Sequence, residues 1–182
     1  MRKLAAVFAL MASPALATGL QIEVAGEGAN GVITVDLLEE LAPNHVARIS
    51  ELAAAGSYDG VVFHRVIDGF MAQTGDVEHG KMGGDMRRAG MGGSSKPDLK
   101  AEFTDEPFAR GVIGMARSQS EDSANSQFFI MFAPGDFLNG KYTVVGRVTE
   151  GMDVVDAIKL GKGANGAVIG QPDMMKSVTV TE

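Results

Sequence analysis

Arg65 stands in an apolar run, Phe63-His64-Arg65-Val66-Ile67, which continues through Asp68-Gly69 into Phe70-Met71-Ala72-Gln73-Thr74-Gly75-Asp76. A charge rarely sits in such company without a partner or a task. If the first run is a strand, Phe63, Arg65 and Ile67 share one face. Asp68-Gly69 is a turn signal, and on the returning strand Met71 and Gln73, or Phe70 and Ala72, share a face. One surface then carries a guanidinium, an amide and large apolar groups. The guanidinium is a directional donor that does not deprotonate. The pattern alone leaves a second reading open, an arginine that snorkels to water at a strand end.

The elements that would position this surface are short. Leu20–Val24 alternates apolar and polar residues and reads as a half-buried strand. A glycine-rich turn at 26–31 leads to a second strand over 32–38, antiparallel to the first. Pro43 opens a helix over 43–55, with Val46, Ile49, Leu52 and Ala53 on one face and Gly56 as its stop. Strands are expected over 61–67, 70–73, 111–116, 127–131, 142–148 and 177–180, and a second helix over 152–160. The stretch 75–98 is rich in Gly and Met without a period and reads as a long loop. About eight strands and two helices, with no helix after each strand, disfavour a doubly wound sheet. The predicted class is mainly β: a closed antiparallel barrel with two flanking α-helices.

Two phosphate-like patterns do not survive their context. Gly161-Lys162-Gly163-Ala164-Asn165-Gly166 spells a dinucleotide fingerprint, but it follows a helix and leads into a loop. Gly135 to Lys141 approaches a phosphate loop, but Tyr142 stands where Ser or Thr must hold magnesium. His45, His64 and His79 do not have metal-ligand spacing. No metal and no cofactor is expected.

Several ordered segments resemble the cyclophilins. Phe63-His64-Arg65-Val66-Ile67 followed by Gly69-Phe70-Met71-x-Gln73 looks like that family's signature. Gly111–Ala116, Asn125–Ile130, Phe137–Gly146 and Glu150-Gly151-Met152 resemble further family segments, in order. The resemblance runs from about Leu20 to the end. It implies an eight-stranded barrel with two capping helices and peptidyl-prolyl cis–trans isomerase activity on proline-containing unfolded or exported polypeptides. It implies Arg65 as the catalytic arginine and Gln73 beside it. By the same resemblance Phe70, Met71, Phe129 and Leu138 line a proline pocket, Gln73, Ala116 and Gln127 flank the bound backbone, and Phe137 and Tyr142 complete the rim. Phe137 replaces a Trp common in eukaryotic members and offers no indole donor, which implies weakened cyclosporin binding. Arg117 replaces a small polar residue. Such a reaction needs no proton transfer, covalent intermediate or metal. Two other readings compete: a module that holds clients in the same groove, and an unrelated small-ligand barrel. Peptide turnover measured beside aggregation suppression separates the isomerase from the client-holding module.

Composition narrows the partners. The chain has 182 residues, 45% hydrophobic and 21% charged, which suits one globular domain. Its formal net charge is −7. That balance argues against nucleic acid and against anionic membrane surfaces. There is no cysteine, so disulfides and thiolate chemistry are excluded. Met1-Arg2-Lys3, an apolar stretch over 4–12 and Ser13-Pro14-Ala15-Leu16-Ala17 have the form of a signal peptide cleaved after Ala17. The expected organisation is therefore a leader over 1–17 and an isomerase domain over 18–182, exported to the periplasm and acting as a monomer. Cleavage removes Arg2 and Lys3 and no acid. It leaves 14 basic against 23 acidic residues, a net charge of −9.

Overall fold

The structure is a computed structural model and describes residues 18–182; the predicted leader lies outside the described residues. Two strands open the fold, β1 (Gly19–Ala25) and β2 (Gly31–Leu37), paired antiparallel with Ile22 opposite Ile33. Their alternation is the one that the sequence predicts. Leu20, Ile22 and Val24 on β1 and Ile33, Val35 and Leu37 on β2 are buried, and polar residues intervene. Helix α1 (Pro43–Ala54) follows, with Val46, Ile49, Leu52 and Ala53 turned inward. Burying each large aliphatic side chain contributes about 1.5–3 kcal/mol.

Next come β3 (Val61–Val62), β4 (Arg65–Ile67), β5 (Met71–Thr74), β6 (Val112–Met115), β7 (Phe128–Met131), β8 (Val144–Glu150), α2 (Met152–Asp156) and β9 (Met174–Thr181). The nine strands form one antiparallel sheet in the order β3-β9-β1-β2-β8-β6-β7-β5-β4. The expectation was a closed sheet of eight strands. The structure instead splits the expected 61–67 strand into β3 and β4, which lie at opposite ends of the order. Only Phe63 and His64 separate them in the chain. Phe63 is buried, and its amide donates to the Asp173 carbonyl at 2.9 Å, one step further along the β3–β9 register. Phe63 is fully buried while Arg65 and Ile67 are partly exposed, so Phe63 does not share a face with them.

Helix α2 is also shorter than predicted. The amide of Lys159 donates to the buried Asp173 carboxylate at 2.8 Å, and Gly28 and Ala29 donate to the same carboxylate. That anchor pulls the chain off the helical path soon after Asp156.

Two apolar clusters share the sheet. The larger contains Ile22, Ile33, Ile49, Tyr58, Phe63, Val66, Ala72, Phe128 and Ile130. The smaller contains Met71, Phe108, Val112, Phe129, Met131, Leu138 and Val144. The period of two along β5 and β7 makes the division: Ala72, Phe128 and Ile130 go to the first, Met71, Phe129 and Met131 to the second. The candidate site lies over the second cluster. Among the described residues no helix is long and apolar enough to cross a membrane.

Candidate active site

Strands β4 and β5 pair with Arg65 opposite Gln73 and Ile67 opposite Met71. Residues directly opposite in an antiparallel pair project to the same side. This register brings the guanidinium, the carboxamide and the thioether together, choosing Met71 and Gln73 over Phe70 and Ala72 as the strand face beside Arg65. Arg65 Nη1 donates to Gln73 Oε1 at 3.1 Å and lies 3.8 Å from Met71 Sδ. Arg65 Nε donates to the Asn165 carbonyl at 2.9 Å. Nη2 is left without a protein partner among the described residues. Partial burial lowers the arginine's pKa, opposed by nearby Tyr142. A guanidinium remains charged under such a shift.

Gln73 passes the constraint on. Its Nε2 donates to Gln127 Oε1 at 3.0 Å, and Gln127 Nε2 donates to the carbonyls of Gly90 and Gly92 at 3.0 and 2.7 Å. The 75–98 loop is thereby tied to the arginine. The loop is itself gathered on the buried Asp76. Its carboxylate accepts from the amides of Glu78, His79, Gly90 and Gly92 at 2.7–3.1 Å. Burial alone would raise the Asp76 pKa. The four amides outweigh it, and the carboxyl titrates below its usual range.

A cavity of about 290 Å³ opens beside Arg65. Its lining is Arg65, Phe70, Met71, Gln73, Ala116, Arg117, Phe129, Phe137, Leu138 and Tyr142. Nine of the ten residues predicted for the site thus meet in one place. The tenth, Gln127, lines the adjoining cavity of about 470 Å³, and Gln73, Ala116 and Arg117 form the wall common to both. Aromatic contacts fix the shape. Phe129 stacks on the buried Phe108 at 5.8 Å and meets Tyr142 edge-on at 5.8 Å; Phe137 leans on Phe70 at 5.4 Å. The volume is at the small end for ligand pockets, about 300–1,000 Å³, and suits one compact apolar side chain.

Sequence reasoning missed the backbone partners. Asn165, Gly90 and Gly92 act through carbonyl oxygens, which every residue carries. The signal available was the glycine-rich 161–166 stretch, read only as a failed nucleotide motif. It packs on β4, where the Val66 amide donates to the Gly166 carbonyl at 2.8 Å and the Val66 carbonyl accepts from the Gly161 amide at 2.9 Å. The three histidines lie apart, with His45 on Glu102 at 2.6 Å and His79 near Arg88 at 2.8 Å.

None of the ten residues around the apolar cavity is His, Ser, Cys, Asp or Glu. Fold and site therefore define a class: an antiparallel β-sheet protein with a small, largely apolar cavity beside a fixed cation. The chain belongs to the cyclophilin-type peptidyl-prolyl cis–trans isomerases: the family described as "Cyclophilin type peptidyl-prolyl cis-trans isomerase/CLD" matches residues 20–180. A Brucella suis protein named "Probable peptidyl-prolyl cis-trans isomerase" is 57% identical over 153 residues, covering 83% of this chain and 78% of that protein. Peptidyl-prolyl cis-trans isomerase B of Escherichia coli K12 is 33% identical over 175 residues, covering 84% and 96%. Among solved structures, a cyclophilin from Hirschia baltica superposes with a TM-score of 0.71 at 26% identity, covering 88% of this chain and 73% of that one. The protein is a peptidyl-prolyl cis–trans isomerase, EC 5.2.1.8.

Proposed function

We propose that the chain speeds rotation about X–Pro bonds of exported or folding polypeptides by electrostatic stabilisation of the twisted amide. The X–Pro bond resists rotation because the nitrogen shares its lone pair with the carbonyl, a barrier of about 18–20 kcal/mol. At the half-rotated state that lone pair is localised on nitrogen. A donor aimed there stabilises the transition state more than either planar form, which is the condition for catalysis. The observation that carries this reading is the held arginine. Nε and Nη1 are fixed by Asn165 and Gln73, Nη2 has no partner among the described residues, and Arg65 lines an apolar cavity. On this reading the proline ring rests on Phe129, Met71 and Leu138, with Phe70, Phe137 and Tyr142 at the rim. Ala116 and Gln73 flank the peptide backbone. Gln127 orders Gln73 and the loop. The low polarity of the wall strengthens the arginine's effect.

The test is exchange spectroscopy on a proline peptide with catalytic amounts of protein. Arg65→Ala is expected to fold and to lose roughly 10²–10³ in rate, the size of a lost oxyanion donor. Rates near the parent's would overturn the assignment.

The same reading takes β3 and β4 as halves of one strand, so that the curled sheet is an eight-stranded barrel. It takes the protein as a monomer, since the cavity is complete within one chain. It also places the protein in the periplasm. Supporting this is the leader-like order of the sequence over 1–17, a basic start, an apolar stretch and small residues at 13–17. Cleavage after Ala17 would keep Thr18, whose carbonyl accepts from the Leu37 amide at 3.0 Å. Amino-terminal sequencing of protein from the periplasmic fraction should begin at Thr18; retention of Met1 in a cytoplasmic fraction would refute export.

A further inference from the structure

Arg117 occupies the wall between the two cavities, and the family motifs leave it without a role. Its Cζ lies 4.5 Å from the centroid of the Tyr142 ring. Nε and Nη2 donate to the Lys141 carbonyl at 3.2 and 3.0 Å, and Nη1 to the Ser118 carbonyl at 2.9 Å. These partners hold the guanidinium in one place but are neutral. Arg65 is in the same condition, held by a carbonyl and an amide. Lys141, whose Nζ donates to the Phe137 carbonyl at 3.2 Å, adds a third cation near that rim.

No carboxylate lines the apolar cavity. In the adjoining cavity the lining carboxylate is Asp98, which accepts from Asn125 Nδ2 at 2.9 Å, while Lys96 is paired with Glu51 at 2.6 Å. An acidic protein thus keeps two fixed guanidinium groups at this wall, neither in an ion pair among the described residues. The charge is partly exposed, so its effect on a bound carboxylate is modest and sensitive to salt.

We propose that Arg117 is a specificity determinant that makes the enzyme favour peptides with Asp or Glu next to the proline, on the segment crossing from the apolar cavity to the polar one. This rests on the isomerase reading above. A chain entering over the common wall passes Gln73, Ala116 and Arg117 in turn. A carboxylate there meets a guanidinium already oriented, with little side-chain entropy left to lose. A lysine there meets like charge.

The test measures kcat/KM by exchange spectroscopy for peptides carrying Glu, Gln or Lys at either position flanking proline, at low and high salt. At one position the Glu peptide is expected to exceed the Lys peptide by about five-fold at low salt, with the ratio shrinking at high salt. Arg117→Glu should invert the ratio, Arg117→Gln abolish it and Arg117→Lys restore much of it. If Arg117→Glu does not fold, the parent's salt series and the other two variants still decide. Equal rates for Glu and Lys peptides, or a ratio unchanged in Arg117→Gln, would overturn the proposal alone. Failure to accelerate any peptide would instead overturn the isomerase reading and this inference with it.

Discussion

At the scale of single residues, the site depends on how few degrees of freedom Arg65 retains. Two of its nitrogens are held, one by a side chain and one by a carbonyl. The side chain that holds it, Gln73, is held by Gln127. Gln127→Ala should therefore act on the arginine at a distance. Losing the relay and the ties to Gly90 and Gly92 should cost about 1.4 kcal/mol, or ten-fold in kcat/KM. Amide exchange at Gly90 and Gly92 should quicken in the same variant. Unchanged kcat/KM with quickened exchange would make Gln127 a loop anchor only. Arg65 was legible in the sequence because a charge in an apolar strand violates the burial pattern. The spacing across the turn left Gln73 on one of two possible faces, and the family resemblance chose it. The backbone carbonyls of Asn165, Gly90 and Gly92 were not, because nothing in a residue's type marks its carbonyl as a partner.

At the scale of elements, the sequence showed strands by alternation and missed where tertiary contacts interrupt them. The 61–67 run looked continuous because every residue but Arg65 and His64 is apolar. In the structure the 61–63 half runs along β9, the Arg65–Ile67 half pairs with β5, and the strand divides between them. Helix α2 ended early because Asp173, distant in sequence, captured the amide of Lys159. The 161–167 turn is the element whose importance was least visible. It delivers the Asn165 carbonyl to Arg65. Gly166 has a φ of +67°, and a Cβ there would lie 2.3 Å from Ile67 Cγ1 and 3.0 Å from the Val66 carbonyl oxygen. Gly166→Ala combines backbone strain with a clash and should lift the turn from β4. The expected result is a loss of about 1–3 kcal/mol in stability and a clear fall in kcat for proline peptides. Chemical denaturation and peptide exchange measured on one sample check both; a stable variant with full activity would show that the turn does not matter to Arg65.

At the scale of the whole molecule, a single curled sheet separates a core from a site, and the 75–98 loop joins them. His64 lies at that junction: a Cβ on Gly90 would come within 2.8 Å of its ring. Burial pushes the His64 pKa down from 6.5 to about 4, against the pull of the Asp76 carboxylate. Between those values the unfolded chain binds a proton that the folded one refuses. Stability therefore rises with pH across that window: it is fully present above about 6.5 and lost as pH falls toward 4. The loss attributable to His64 is about 3 kcal/mol. Asp76, titrating below its usual range, adds a further loss as the pH falls through the carboxylate region. Denaturant titrations from pH 7 to 4.5 should show the decline, and His64→Asn should flatten its upper part. An equal slope in both proteins would refute this placement of the proton. The acidic composition, the antiparallel class and the family segments were all visible in the sequence. How the sheet's ends fall at β3 and β4 was not, because that depends on which distant strand, β9 or β5, each half of the run meets.

The central claim is that Arg65 acts on the half-rotated amide more than on the resting peptide. Arg65→Met keeps an apolar stem beside Met71 and removes the donor, so its steady-state constants test that claim most directly. The account requires kcat to fall by roughly 10²–10³ with KM nearly unchanged. A raised KM at parental kcat would contradict it and reduce Arg65 to a group that merely holds substrate.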